Sequence, residues 1–315
     1  MKYSNLKGQS VSRITLGTAQ LARTYGISHS GVVLTRDDAY ALLASAVAQG
    51  VNSIDTSNDY GEADIVIGEW LARRETAEQR QARDLLLGTK LVRVDFSSPE
   101  ATRRSLREMA LDCRRRLDID TIPLLMLHSF EDYAGDPETV MDTLQSLRAD
   151  GVCDRIGISI YENDDYDMVA QSEFDAVQIP LNVLSWRRIN DGSIARLAES
   201  GIGIFVRSVF LQGLFFLNRE TMPELMHYAL PYVEKFHGFC RKWDLSPAAL
   251  AVSFVLSIPG ISSLVMGCEN ETQLTENVRL VNSSVTLDSE QMEELRRAFA
   301  DVPLEITSPS LWPKP

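Results

Sequence analysis

The sequence predicts a (β/α)8 TIM barrel, and three observations predict it. Eight short apolar segments rich in β-branched residues alternate with amphipathic helical patterns, the signature of a parallel sheet buried on both faces. Eight such units over about 270 residues suit a closed barrel better than an open sheet. Three successive segments also end in chemically capable residues, Asp55, Lys90 and His128. Strand ends are where a parallel barrel places its chemistry.

The elements follow in order. Met1 to Val11 reads as an N-terminal hairpin, with turn residues from Lys7 to Ser10. The first barrel strand spans Arg13 to Ala19. Thr35 then caps a helix whose apolar period runs from Ala39 to Gln49 and stops at Gly50. Strand two is Asn52 to Thr56, and its polar loop carries Tyr60 before a helix from Ala63 or Ile65 to Arg74. Strand three is Leu85 to Leu91. Ser98 and Pro99 open a long helix to about Leu117, since proline is tolerated in the first turn. Strand four is Ile122 to His128, followed by a helix from Pro137 to Asp150. Strands five, six and seven are Arg155–Ile160, Ala176–Asn182 and Ile202–Ser208, with a helix from Ser193 to Ser200 between the last two. Helical stretches from Met222 to Trp243 and Pro247 to Ser257 lead to strand eight, Ser263–Gly267, and a helix from Glu271. The surplus is a helix near Ser289 to Ala300 and a tail from Ile306 to Pro315, too polar and proline-rich for another helix. No linker or composition shift divides the chain, so residues 1–315 are expected to form one domain.

Composition narrows the function. The net charge of −13 argues against nucleic acid or an anionic membrane as a nonspecific partner. The first residues carry no apolar segment of signal-peptide length, and no apolar run is long enough to span a bilayer. Cys113, Cys153, Cys240 and Cys268 lie far apart, without a Cys-x-x-Cys pair, and read as reduced thiols of a cytoplasmic protein. The four histidines show no His-x-x-x-His spacing, so no metal is expected. The expected partner is a small molecule. Oligomeric state is not legible.

Four residues then combine into one chemistry. Tyrosine is a poor acid at neutral pH, with an ordinary pKa near 10. A neighbouring ammonium favours its phenolate, and Lys90 is placed to supply one, with Asp55 holding that lysine charged. His128 can steer a carbonyl oxygen toward the phenol by hydrogen bonding. A lone loop tyrosine is usually a surface residue, but four such residues in phase on consecutive strand ends are hard to attribute to chance. Together they protonate an oxygen as negative charge develops on it, which suits hydride reduction of an aldehyde or ketone and its reverse.

In order and spacing, Leu16-Gly17-Thr18, the stretch from Gly50 to Gly61, Gly88-Thr89-Lys90, Leu127-His128 and Arg155 to Ser159 resemble the aldo-keto reductase family over nearly the whole chain. The resemblance implies an oxidoreductase using extended NADP or NAD without a Rossmann domain, and a catalytic tetrad of Asp55, Tyr60, Lys90 and His128. It further implies that Gly17 and Thr18 face the cofactor and that Ser159 and Gln178 hold its carboxamide. Ile160 stands where the family usually has Asn, and Arg207 where it often stacks an aromatic on the nicotinamide. Ser208, Leu211 and Gly213 resemble the pyrophosphate-covering loop, and Gly267, Glu269, Gln273, Glu276 and Asn277 the adenosine-binding segment. NADPH-preferring members place Lys or Arg in that last segment. Glu269 would repel a 2′-phosphate and accept from ribose hydroxyls, which leans to NAD; alternatively Glu269 faces solvent and Arg279 serves the phosphate. By the same resemblance, Tyr25, Trp186 and Trp312 are candidates for the substrate pocket, with a sugar-related substrate. Two other readings use the same parts: a Schiff-base aldolase with Lys90 as nucleophile, and a regulatory subunit that binds the cofactor without turnover.

Overall fold

A computed structural model describes residues 1–21, 34–73 and 85–312. Its centre is a closed barrel of eight parallel strands. They are β3 (Ile14–Gly17), β4 (Ser53–Asp55), β5 (Leu86–Leu91), β6 (Leu124–Leu127), β7 (Ile156–Ser159), β8 (Ala176–Pro180), β9 (Gly203–Arg207) and β10 (Ile261–Gly267), with β10 pairing back onto β3. The strands are almost entirely buried, which is why they read as continuous apolar runs rather than alternating ones. Seven of them are one to three residues shorter than the expected runs, which continue into the turns, whereas β10 is longer and starts at Ile261 rather than Ser263.

The bottom of the barrel is closed by the hairpin of β1 (Tyr3–Leu6) and β2 (Gln9–Ser12). Lys7 and Gly8 both adopt left-handed backbone angles, φ 45 and 92, the geometry a two-residue turn needs to match the strand twist. Leu6 and Val11 pack there with Leu86, Leu124, Met126, Ala176 and Phe205. This separates a stability end from the opposite, C-terminal face of the strands.

The outer helices start where their side chains can satisfy the first backbone N–H groups. Thr35 and Asp38 form a reciprocal capping box at Arg36–Ala48, and Ser98, with Pro99 behind it, opens Pro99–Leu117. Arg114, Arg115 and Arg116 occupy the last turn of the latter helix, where positive charge complements the helix dipole. Two expectations need correction. The stretch from Met222 to Trp243 is not one helix: a 3-10 segment, Glu224–Ala229, precedes the helix Leu230–Lys242. Pro231 has no N–H to give to a preceding turn, so it sits in the first turn of a new helix instead. The tail does form short helical turns, Leu304–Thr307 and Pro309–Leu311, started after Pro303 and at Pro309.

The four cysteines are buried and unpaired, and burial pushes the thiols of Cys113 and Cys268 up to about 12, so they are inert packing residues at neutral pH. Among the described residues no helix is long and apolar enough to cross a membrane.

One helix crossing yields a sharp stability prediction. Gly68, in the helix Ala63–Ala72, faces the end of Pro99–Leu117, where an added Cβ would lie 2.6 Å from the Arg116 carbonyl oxygen and 2.8 Å from the Leu117 carbonyl carbon. In an open helix Gly→Ala stabilises, by up to about 1 kcal/mol. Here the sign is expected to reverse, with Gly68→Ala costing about 1–3 kcal/mol through overpacking. Urea unfolding checks it; an unchanged or raised midpoint contradicts the crossing.

Candidate functional site

The site lies where the parallel strands end. Asp55 is the last residue of β4, Lys90 is near the end of β5, and His128 follows β6 directly. The loop after Asp55 is fastened to β5 by its backbone: Thr56 N–H donates to the Gly88 carbonyl at 2.8 Å and Asn58 N–H to the Lys90 carbonyl at 3.4 Å. His128 N–H donates to the Leu91 carbonyl at 2.8 Å. Strand pairing therefore fixes the spacing between these groups before any side chain does.

Beneath the surface is a buried ion pair. Lys90 Nζ donates to Asp55 Oδ1 at 2.6 Å and to the Thr56 carbonyl at 2.9 Å, and the lysine is fully buried. Gln178 Nε2 donates to the same Asp55 oxygen at 2.8 Å. Burial is the largest single influence on Lys90 and pushes its pKa down, but the Asp55 carboxylate and the Tyr60 phenol outweigh it, and the net direction is up from 10.5. Lys90 is thus held as an ammonium. Its Nζ lies 5.2 Å from the centroid of the Tyr60 ring. The rings of Tyr60 and His128 meet edge-on, 6.0 Å apart at 79°. The structure brings together all four residues expected to act in concert.

Ser57, which the sequence pattern did not single out, belongs to the group as well. Its hydroxyl lies 3.4 Å from His128 Nδ1 and accepts from the Asp59 N–H at 3.2 Å. The only sequence signal was a hydroxyl two residues beyond the strand-end carboxylate.

Asp55, Tyr60, Gln178 and Arg207 form one end of a cleft of about 510 Å3. Its walls continue over Gly17 and Thr18 on one side and Ser208 and Gly213 on the other, and reach Gly267, Glu269, Gln273, Glu276 and Asn277. The segment after β9 is strained. Ser208, Leu211 and Gln212 have φ of 64, 47 and 52, left-handed values that non-glycine residues avoid, and Gly213 follows at 94. Such residues cost about 1–3 kcal/mol each and persist where the surroundings over-determine them, commonly at ligand clamps. Gln212 and Gly213 wall the cleft, whereas Leu211 is a fully buried anchor beneath the loop. Leu211 therefore shapes the wall and does not line it. Ser159 pairs in register with Gln178 and is buried, set back from the walls.

At the far end, Asn270 caps the helix Glu271–Asn282, and the Glu269 N–H donates to Gln273 Oε1 at 2.9 Å. Glu269 and Glu276 place two carboxylates in this part of the wall; Arg279 is exposed and is not a wall residue. Gln20, Phe210, Phe216 and Val265 also line the cleft without having been expected. Gln20 directly follows the Gly17-Thr18-Ala19 run and was legible there, whereas the aromatic pair looks like core in sequence.

The three aromatic residues expected around a substrate do not converge. Tyr25 lies outside the described residues. Trp186 is buried, with Nε1 donating to the Val183 carbonyl at 2.9 Å and its ring 5.2 Å from that of Phe254. It borders a separate cavity of about 500 Å3 with Glu162, Arg187 and Leu304. Trp312 is likewise packed into the core and donates to the Ile306 carbonyl at 3.2 Å. In both residues a backbone carbonyl satisfies the indole N–H and apolar neighbours take the ring, which removes them from the cleft.

Comparison with known proteins agrees with this geometry. The sequence profile of the Aldo/keto reductase family matches residues 13–299. An L-galactose dehydrogenase of Arabidopsis thaliana is 26% identical over 313 residues, covering 94% of this chain and 92% of its own. A D-threo-aldose 1-dehydrogenase of a Pseudomonas species is 26% identical over 298 residues, covering 83% and 89%. Among solved structures, the holo form of an aldo-keto reductase from Bacillus halodurans matches with a TM-score of 0.75 at 20% identity, over 98% of this chain and 100% of that one. At that identity the likeness is one of fold.

Proposed function

The chain belongs to the aldo/keto reductase family and is an oxidoreductase, and from that premise we propose that it moves hydride between a nicotinamide cofactor and the carbonyl carbon of an aldose or similar hydroxylated carbonyl compound, with Tyr60 as the proton donor. The observation that carries the proposal is the buried Asp55–Lys90 pair set under the Tyr60 ring. The sugar class rests on the two dehydrogenases similar over most of this chain.

The cleft suits a dinucleotide. Gln178 spends its amide N–H on Asp55, and no group among the described residues donates to its Oε1, which leaves that oxygen to accept from a carboxamide. The loop over Leu211, Gln212 and Gly213 is fixed by its own backbone, the Leu211 and Gly213 N–H groups donating to the Ser208 and Phe210 carbonyls, both at 2.9 Å, which gives a dinucleotide a preshaped wall at Gln212 and Gly213. When bound, the nicotinamide supplies or takes the hydride. The protein's own residues do the rest. In reduction Tyr60 Oη gives its proton to the substrate oxygen, and the Lys90 ammonium stabilises the phenolate left behind. Asp55 keeps Lys90 charged and immobile, and His128 orients the carbonyl oxygen. In oxidation the same groups take the proton from the alcohol.

Lys90 is poorly placed to be a Schiff-base nucleophile. A nucleophilic amine has to be neutral, and this one is buried, doubly hydrogen-bonded and held charged. Fluorescence titration with NADH and NADPH, followed by assays on aldehydes and aldoses, tests the proposal. Binding with turnover is expected. Binding with no turnover on any carbonyl compound points to a cofactor-sensing subunit, and no binding at all overturns the oxidoreductase assignment of the cleft.

The far end of the cleft favours NADH. Two carboxylates and no lysine or arginine lie among its wall residues there, a poor setting for a 2′-phosphate and a good one for free ribose hydroxyls. The kcat/KM ratio is expected to favour NADH by about tenfold, and Glu269→Lys to move that ratio toward NADPH by at least a similar factor. A wild-type ratio tenfold in favour of NADPH contradicts this reading.

A further inference from the structure

The end of the cleft beside Tyr60 is walled by one cation, Arg207, and one carboxylate, Asp55, which is bound to Gln178 and to the Lys90 ammonium buried beneath the wall. Arg207 lies close enough to Lys90 for its charge to work against that ammonium. Among the described residues Arg207 forms no ion pair. Its Nη2 donates to the Ile160 carbonyl at 3.2 Å, and its guanidinium lies 4.4 Å over the ring of Tyr161. Asp164 interacts with it only at a distance: its carboxylate accepts from the Tyr161 N–H at 2.6 Å, and burial pushes its pKa up, with Arg207 a minor influence in the opposite direction. The guanidinium is therefore held in the wall by stacking and a backbone carbonyl, with its charge left largely uncancelled.

We propose that Arg207 discriminates between the redox states of the bound cofactor: its fixed charge favours the neutral, reduced nicotinamide ring over the cationic, oxidised one. The inference rests on the proposed function, which brings the nicotinamide to Tyr60. Hydride must reach the carbon of a C=O group whose oxygen meets Tyr60 Oη, so the ring has to lie at this end of the cleft, where Arg207 forms the wall. A positive charge there repels the oxidised ring and is indifferent to the reduced one. By linkage, tighter binding of the reduced form shifts the equilibrium on the protein by the same factor. The favoured step breaks the C–H bond of an alcohol, passes hydride to the oxidised nicotinamide and the hydroxyl proton to Tyr60, and leaves a carbonyl compound and the reduced cofactor. Arg207 thus biases the equilibrium between the bound species toward dehydrogenation and leaves the equilibrium in solution unchanged.

The test is substrate-free titration of the full chain with NAD+ and NADH, and with NADP+ and NADPH. In wild type the oxidised form of the tighter-binding pair is expected to show a Kd on the order of tenfold or more above the reduced form. Arg207→Gln should bring that ratio near one, and Arg207→Lys should keep most of it. A wild-type ratio near one overturns the inference whatever the variants do. So does a Gln variant that weakens both forms alike, the result expected if Arg207 merely packs the wall or holds the pyrophosphate. If wild type binds neither form of either pair, the proposed function fails first and takes the inference with it.

Discussion

Tyr60→Phe is expected to lower kcat for carbonyl reduction by about 10²- to 10⁴-fold, the usual range for removing a positioned proton donor. Its cofactor Kd should stay within about twofold of wild type, because the phenol hydroxyl is assigned to the substrate oxygen. The substitution keeps the ring that lies over Lys90 and meets His128 edge-on, so the packing of the site is conserved. A loss confined to the chemical step, with cofactor still bound, identifies Tyr60 Oη as the proton donor. Turnover within about threefold of wild type would mean that another group donates the proton, with His128 the next to test. A parallel loss of cofactor affinity would instead mean that the hydroxyl holds the cofactor.

Much of this site was legible in the sequence for a physical reason. A barrel strand buried on both faces tolerates few polar residues, so Asp55 and Lys90 stand out within apolar runs, and register then carries them to one face. Cap and proline signals placed the start of the helix Pro99–Leu117, because Ser98 satisfies a backbone donor that has no partner within the first turn. Other features escaped because they are products of tertiary packing. The left-handed backbone of Ser208, Leu211 and Gln212 has no glycine signature, since the surroundings impose it. Trp186 and Trp312 were assigned to a pocket although they pack in the core, since indole chemistry suits both places and only the hydrogen-bond partner separates them. The stacking of Arg207 on Tyr161 joins residues from two strand ends far apart in the chain. Pro231 is the opposite case: it was visible in the sequence and marked the break before Leu230.

Breaking the buried pair should be the most damaging single change to stability. Asp55→Asn leaves Lys90, fully buried, with the Thr56 carbonyl and an amide in place of a carboxylate. Removing one partner of such a pair typically costs about 3–5 kcal/mol, since the remaining charge stays desolvated. The pH dependence carries the sign. In wild type the folded-state pKa of Lys90 is raised, so its contribution is complete below the ordinary value of 10.5 and is lost only as pH climbs through the folded value. Stability owed to this group should therefore be flat from about pH 6 to about pH 9. In Asp55→Asn the raising influence of the carboxylate is gone and burial, which lowers the pKa, dominates. The variant should then gain stability as pH rises over the same interval, because a neutral lysine is the form that burial accepts. Lys90→Met with Asp55→Asn removes both charges, and the double variant should be more stable than Asp55→Asn alone, a coupling that a double-mutant cycle measures. Urea denaturation across this pH range reads all three outcomes. Additive losses, or an Asp55→Asn variant with wild-type pH dependence, would mean that the two groups do not share a charge. Catalysis should nevertheless be lost in the stabilised double variant, because the ammonium that supports the Tyr60 phenolate is absent. Activity and stability are expected to part at this pair, which is what a buried charge kept for chemistry should do.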